Sequence, residues 1–564
     1  MTLESIKRSS LWAAYGDALG FITELSDEVS IKNRTKGHSR VTALIPWTRR
    51  IGGQFGINIE LPRGCYSDDT QLRLATSRSI RGDGKFDVET FSKIELPIWL
   101  SYALGAGVGT RSAATSLRKR QIQWSTNFFK LGYSQYINGG GNGACMRIQP
   151  HVWCAPRRRT NSEILREIIR NTITTHGHCR ALIGSAFHAL ILRKTMLDHS
   201  IPGPVRWHSV LSDIEMIPKI IRSDEQLRMY WINNWESESQ QSLEEGINRS
   251  IAELRHDISL IGQYTDASKA ERYSEYSYRD IAFRLGCFDK RTRGSGTKTA
   301  LMAAYASYVF GDNTYEGIVT IVNSLGTDTD TIATMAGAIM GVIAKNDPPE
   351  EVMDQVYLNE EAERLYDISQ EKKARSYSYP DLLYWQAPSS QIKALGKHGN
   401  KWTLQGIGEL VPIDSEYLKK DKNPTIWQWF RLHFGQTVLL KRSNYVGPIS
   451  EKLLPIKQQA QEEPLGDVKI SNIESKQQRN LPKVESVGQT SKQPSLWDDY
   501  QYTDNIEEKE ITVENAADLV VKNRFRANVI GSLLLRLAVQ ENGEEKSMLF
   551  AKLIARARIA RIKR

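Results

Sequence analysis

The sequence predicts an all-α domain over residues 1 to 370, followed by smaller pieces of different character. Three observations predict it. Small and apolar residues recur at helical spacing in Ile164-Leu165-Ile168-Ile169, in Ala181-Leu182-Ser185-Ala186-Leu190 and in Leu301-Ala304-Tyr305-Tyr308. β-branched runs with strict alternation are scarce in this part. Glycine-rich loops punctuate it: Gly52-Gly53, Gly139-Gly140-Gly141 and Gly294-Ser295-Gly296.

From 380 to 455 the chain changes. Trp385, Trp402, Trp427 and Trp429 cluster here. Strand-like pieces, Lys401-Trp402-Thr403-Leu404 and Thr437-Val438-Leu439-Leu440, alternate with Gly406, Gly408 and Gly435. We expect a small accessory module of α+β type. Residues 456–510 are rich in Gln, Glu, Lys, Ser and Pro, too polar to offset ordering entropy, and read as a disordered linker. The segment 511–564 is helical. One helix is expected over 515–540, a turn at Glu541-Asn542-Gly543, and a second helix to the basic end.

Composition excludes several classes. Of 564 residues, 40% are hydrophobic and 25% charged, which is ordinary for a globular chain. Five scattered cysteines with no C-x-x-C pair argue against a disulfide scaffold and a thiolate zinc site. No signal-peptide layout and no long apolar run is present, so a reducing cytoplasm and no membrane span are expected. The net charge is +10. Lys552, Arg556, Arg558, Arg561, Lys563 and Arg564 supply +6 of it, with no acidic residue among 552–564, leaving +4 elsewhere. That last helix is the candidate surface for a nucleic acid or protein partner; a solvated helix face explains the same residues.

Two acidic clusters carry the chemistry. Ser67-Asp68-Asp69-Thr70 precedes one helical stretch and Asp328-Thr329-Asp330-Thr331 precedes another. Ser, Thr and Asp are good N-caps, and a single cluster needs no other explanation. A cap needs one oxygen, however, not two neighbouring carboxylates. Four carboxylates and several hydroxyls suit a hard divalent cation such as Mg²⁺ or Mn²⁺ better than zinc. Two such loops could hold two cations about 3.5–4 Å apart.

Three further segments are candidates. Asp17 and Glu24 lie seven apart, on one face if the helix continues past Gly20. Gly139, Gly140, Gly141, Asn142 and Gly143 form a loop able to present N–H groups to an anion, with Arg147 beyond it. His176 could donate to a substrate phosphate or ribose, or be a half-buried structural histidine.

Taken together, GDALGFITE (16–24), YSDDTQL (66–72), GNGACMRIQP (141–150), THGHCRA (175–181), GSGTKTALMAA (294–304) and GTDTDTIATMAGAIMG (326–341) resemble, in order, the ADP-ribosylglycohydrolase family. The resemblance covers residues 8 to about 365 and says nothing about the rest. It implies a compact all-α domain with a central cleft holding two Mg²⁺ or Mn²⁺ ions. The matching metal ligands are Ser67, Asp68, Asp69, Asp328, Asp330 and Thr331. The 139–143 loop then cradles ADP-ribose, His176 sits at the substrate, and Asp69 or Glu24 is the general base or acid. The implied reaction removes mono-ADP-ribose from a macromolecule, and the Ser-Asp-Asp-Thr form leans towards arginine-type hydrolases. Cleavage of ADP-ribosylated nucleic acid, and a silent ADP-ribose-binding scaffold in a defence or toxin-neutralising system, are the alternatives. Gly326-Thr327 replaces the usual glycine pair, and Thr297 stands where many relatives have an aromatic ring. A polar insertion carrying Trp231 and Trp235 occupies about 200–290.

Overall fold

The structure is a computed structural model. It describes all residues except 54–55, 268–274, 312, 420–423, 457–510, 524 and 563–564, and leaves out the side chains of 265–267, 414–415, 419, 556 and 558–562 as well. The chain divides into two compact units, 1–458 and 459–564.

The first unit is built around two helices, Leu3–Thr23 and Thr329–Met340. The first opens on a reciprocal cap between Thr2 and Ser5 and is buried along nearly its whole length. The two helices meet backbone to backbone. A Cβ on Gly16 would lie 2.5 Å from the Ala333 carbonyl oxygen, one on Gly20 2.4 Å from Asp330 Cα, and one on Gly337 2.3 Å from the Trp12 carbonyl oxygen. Any side chain there would force the helices apart. The helices Asp68–Arg78, Cys179–Asp198 and Gly296–Phe310 surround this pair, with interiors of Ala, Leu and Ile.

The expectation of an all-α domain holds for most of 1–370, with two corrections: Lys130–Leu131 pairs with Ser134–Gln135 in a short hairpin, and a longer one precedes it. Trp47–Ile51 and Ile57–Leu61 form an antiparallel hairpin, Arg49 opposite Ile59. Trp47, Ile51, Ile59 and Leu61 are buried, so the strands do alternate. Arg49 occupies the inward position between Trp47 and Ile51, and its charge hides the pattern in the sequence.

The Trp-rich stretch folds as a five-stranded antiparallel meander spanning Leu395–Arg442. It shares one hydrophobic core with the helices and is not a freestanding module. Two buried polar links join them. Arg78 forms an ion pair with Glu95 (2.7 Å) and donates to Gln436 Oε1 (2.6 Å). Asp354 accepts from Thr437 N (2.7 Å) and from the Tyr66 hydroxyl (2.7 Å). The sheet thus reaches the residue next to Ser67.

The second unit contains three helices, Val513–Lys522, Ala527–Ala538 and Gly543–Ile562. They enclose Val513, Ala516, Val520, Leu533, Leu537, Phe550 and Ile554. The single helix expected over 515–540 is broken. Phe525 takes a left-handed conformation and its N–H bonds the Val520 carbonyl, the long-range bond of a Schellman stop. The expected turn at Glu541-Asn542-Gly543 is present, with Asn542 left-handed. The linker 456–510 lies outside the described residues apart from its first residue, and so do the side chains of Arg556, Arg558, Arg561, Lys563 and Arg564.

Three substitutions test this packing by urea unfolding. Gly337→Ala should cost about 1–3 kcal/mol through overpacking. Gly262→Ala, in a helix with open space around it, should be neutral or stabilise by up to about 1 kcal/mol. Arg78→Leu strands the buried Glu95 carboxylate and should cost about 3–5 kcal/mol.

Candidate functional site

The glycine contact places Asp17 behind the second acidic cluster. Asp17 is fully buried and uses both carboxylate oxygens on backbone N–H groups, Oδ1 on Ser67 (3.0 Å) and Oδ2 on Thr70 (2.8 Å). It therefore caps the Asp68–Arg78 helix from outside. Ser67 caps the same helix from within, through its Oγ and the Asp69 N–H (3.2 Å). Its hydroxyl also donates to Asp69 Oδ2 (3.2 Å).

Asp68 is held by the Ala106 N–H at 2.7 Å. The backbone passes so close that a Cβ on Gly105 would lie 2.4 Å from Asp68 Oδ1, and Gly105 has φ +97°. Only glycine suits that position. Asp69 Oδ2 accepts from the Thr331 hydroxyl (3.4 Å), whereas its Oδ1 is buried with no hydrogen-bond partner among the described residues. Asp330 Oδ1 accepts from the Thr331 N–H (2.9 Å). Carboxylate oxygens of Asp17, Asp69 and Asp330 lie within 4.8 Å of one another.

Crowding and burial act together on these groups. Burial, then the neighbouring Glu24 charge, raises Asp68 to about 7. Burial and the surrounding carboxylates hold Asp69 and Asp330 well above the usual range. Glu24, at the end of the first helix, is raised by burial and held down by Arg49, whose Nη1 is 3.0 Å from Oε2. Arg49 in turn stacks on Phe21 at 4.4 Å. A buried carboxylate crowd with an orphaned oxygen is what a cation of double charge neutralises.

These groups open into a cleft of about 450 Å³. Glu24, Asp68, Asp69, Asp328, Asp330 and Thr331 line one part of it. Gly139, Gly140, Gly141, Asn142, Gly143 and His176 line another part, and residues 107–110 and 133–135 contribute to the remainder. Ser67 does not line the cleft. Asp17 and Arg147, also singled out from the sequence, lie behind it.

The glycine loop is pinned before any ligand arrives. The N–H groups of Gly139, Gly140 and Asn142 bond the carbonyls of Tyr136, Asn138 and Gly294. Those of Gly141 and Gly143 have no backbone partner among the described residues. Asn142 Nδ2 donates to Asp328 Oδ2 (2.9 Å), tying the loop to the second cluster. Arg147 takes no part in the cleft. It is fully buried and donates to Gly143 O, Asn171 Oδ1 and Thr175 Oγ1.

His176 is neutral, pushed down to about 3 by burial and then by Arg147. Its Nδ1 lies 2.7 Å from Thr175 Oγ1. That oxygen accepts from Arg147, and Nδ1 is the acceptor beside its own proton; with that bond made, the imidazole proton is carried on Nε2. Nε2 is the ring atom beside Gly143 and Gly141 at the cleft.

Sequence reasoning missed the supports. Asp17 was legible as a buried helical carboxylate, but not as a clamp on the Asp68 helix. Trp231 and Trp235 stack at 5.6 Å and donate to the Tyr136 hydroxyl (2.7 Å) and the Gly177 carbonyl (2.5 Å). The polar insertion thus buttresses the residues flanking the glycine loop and His176. Thr297 is buried against Ser295, outside the cleft.

Comparison with known proteins follows from this geometry. The pattern of the ADP-ribosylglycohydrolase family matches residues 3–376. Among solved structures, a chain described as an "ADP-ribosylglycohydrolase-related protein complex" is 20% identical, with 65% of this chain and 98% of that chain covered and a TM-score of 0.41. No curated protein matches. With two-thirds of its length inside the family pattern and both acidic clusters inside that match, the chain belongs to the ADP-ribosylglycohydrolase family.

Proposed function

We propose that this protein is a Mg²⁺-dependent hydrolase that removes mono-ADP-ribose from a modified macromolecule in a reducing cytoplasm. The observation that carries the reading is the orphaned Asp69 oxygen among buried carboxylates at the floor of the cleft. Donors here are all oxygen, which suits two Mg²⁺ or Mn²⁺ ions. Asp68, Asp69, Asp328, Asp330 and Thr331 would hold them. Ser67 would join only by giving up its cap on the Asp68 helix. Bound cations supply Lewis-acid polarisation of ribose hydroxyls and a lowered pKa for water.

The chain's own residues do the rest. Gly141 and Gly143 offer N–H groups to the diphosphate or distal ribose. His176 donates its Nε2 proton to a substrate oxygen and does not act as a cation. Glu24 keeps one oxygen on Arg49 and presents the other to the cleft. As the C1″ linkage breaks, Asp69 or Glu24 takes the proton of the attacking water, and the released atom of the macromolecule takes a proton back from that carboxyl group. The five cysteines are buried and unpaired, in keeping with a reducing compartment.

Asp68→Asn combined with Asp330→Asn should abolish Mg²⁺ binding in calorimetry and lower ADP-ribose release to background. Release that survives in this variant contradicts the assignment. Arginine-, serine- and nucleic-acid-linked substrates, assayed side by side, identify the linkage. His176→Ala should lower kcat/KM roughly a hundredfold through loss of one preorganised donor. Because the imidazole is neutral far below its ordinary value, wild type and variant should share one profile shape between about pH 5 and 8. A limb near pH 6.5 that disappears with His176 would overturn this role.

A further inference from the structure

A second concavity, of about 600 Å³, adjoins the acidic cleft. They share one segment of chain. Gly105 and Arg111 line the groove, and residues 107–110 line the cleft. Arg49 lines the groove as well, while its guanidinium holds Glu24 at the cleft.

The charge of this groove has one sign. Arg49, Arg50, Arg111 and Arg118 line it, and no carboxylate does. Arg111 donates to the Gly105 carbonyl (3.0 Å) and Arg118 to the Pro388 carbonyl. Neither of these, nor the exposed Arg50, has an ion pair among the described residues. What sets these three apart is that they share one groove; single exposed arginines without an ion pair among the described residues, such as Arg157 and Arg228, occur elsewhere, beside paired ones. Arg158, Arg222 and Arg291, exposed elsewhere, sit on Glu371, Glu244 and Asp289. Three guanidiniums without a counter-charge in one groove call for an anionic ligand, and the guanidinium fork fits phosphate.

Between the guanidiniums the lining is mixed: Leu100, Ala103 and the largely buried Pro97, Pro388 and Trp427 supply apolar surface, and Ser101, Thr115, Ser390 and Gln391 supply polar groups. A ligand that alternates phosphates with flat bases matches such a lining. An acidic peptide would place carboxylates on the arginines and leave the apolar surface without a partner.

We propose that this groove binds a single-stranded nucleic acid, the macromolecule from which the neighbouring cleft removes ADP-ribose. The proposal rests on the hydrolase reading and narrows its substrate class. Phosphates lie on Arg50, Arg111 and Arg118, bases lie against Pro97, Leu100 and Pro388, and the modified nucleotide passes over 107–110 into the cleft.

Binding is measured apart from hydrolysis, by fluorescence anisotropy of a labelled single-stranded oligonucleotide of about 20 nucleotides with the full chain. Three phosphate contacts predict a roughly 20-fold loss of affinity between 50 and 200 mM salt. Arg50→Glu and Thr115→Glu each place a carboxylate in the groove at an exposed position outside the cleft. Each should weaken binding about tenfold or more, and Arg50→Glu should reduce the salt slope by about 0.7. Turnover of the best-cleaved small substrate should stay at the wild-type rate in both. Three results overturn the proposal: no binding, binding that survives both substitutions, or displacement by poly-glutamate as effective as by unlabelled oligonucleotide. Binding of AMP as tight as the oligonucleotide overturns the strand and leaves a free-nucleotide site. None of these outcomes touches the hydrolase reading. Oligonucleotide binding without hydrolysis of any linkage overturns that reading instead.

Discussion

The contact on which the rest depends is the meeting of two helix backbones at Gly16, Gly20 and Gly337. With no side chains between them, the Leu3 and Thr329 helices approach closely enough to set Asp17 beside Asp330. Asp17 then fixes the start of the Asp68 helix through two N–H bonds. Three elements far apart in sequence therefore converge on one buried knot of negative charge. The cost of that charge is what makes the site a place for cations. Close packing of apolar surface around it supplies the stability that holds the carboxylates together against their repulsion.

Support around the knot is graded by distance. Arg49 balances Glu24 at the rim, Asn142 ties the glycine loop to Asp328, and Arg147 fixes Thr175 and through it the tautomer of His176. None of these groups needs to touch substrate to matter. They restrict the rotamers and proton positions of those that line the cleft, so less ordering remains for the moment of binding.

Much of this was legible in the sequence. Both acidic clusters, the glycine loop and His176 stand in short local motifs, and the structure brings the four cluster carboxylates, Thr331, the loop and His176 to one cleft. Helical periodicity gave the main domain because small and apolar residues recur at helical spacing along its long helices, several of which are buried on nearly every side. What escaped notice depends on long-range pairing. The longer hairpin was hidden by a charge at an inward position, Arg49, whose partner is Glu24. The break at Phe525 uses a residue type that rarely adopts a left-handed conformation. The meander looked separable because Gln436 gives no local sign that it bonds Arg78, 358 residues away. A buried polar contact between distant segments leaves no periodicity to read.

The link through Asp354 has a practical meaning for how the molecule is divided. Family resemblance stops near residue 376, but the folding unit does not. A chain ended there would lose Thr437 and Gln436, uncap Asp354 and expose the Arg78–Glu95 pair to water. Tyr66, the immediate neighbour of the first acidic cluster, would lose the far side of its anchor. Evolutionary module and cooperative unit are thus different lengths of the same polypeptide. By thermodynamic linkage, any ligand that orders the cleft also tightens the meander, and a strand lost from the meander is felt at the carboxylates.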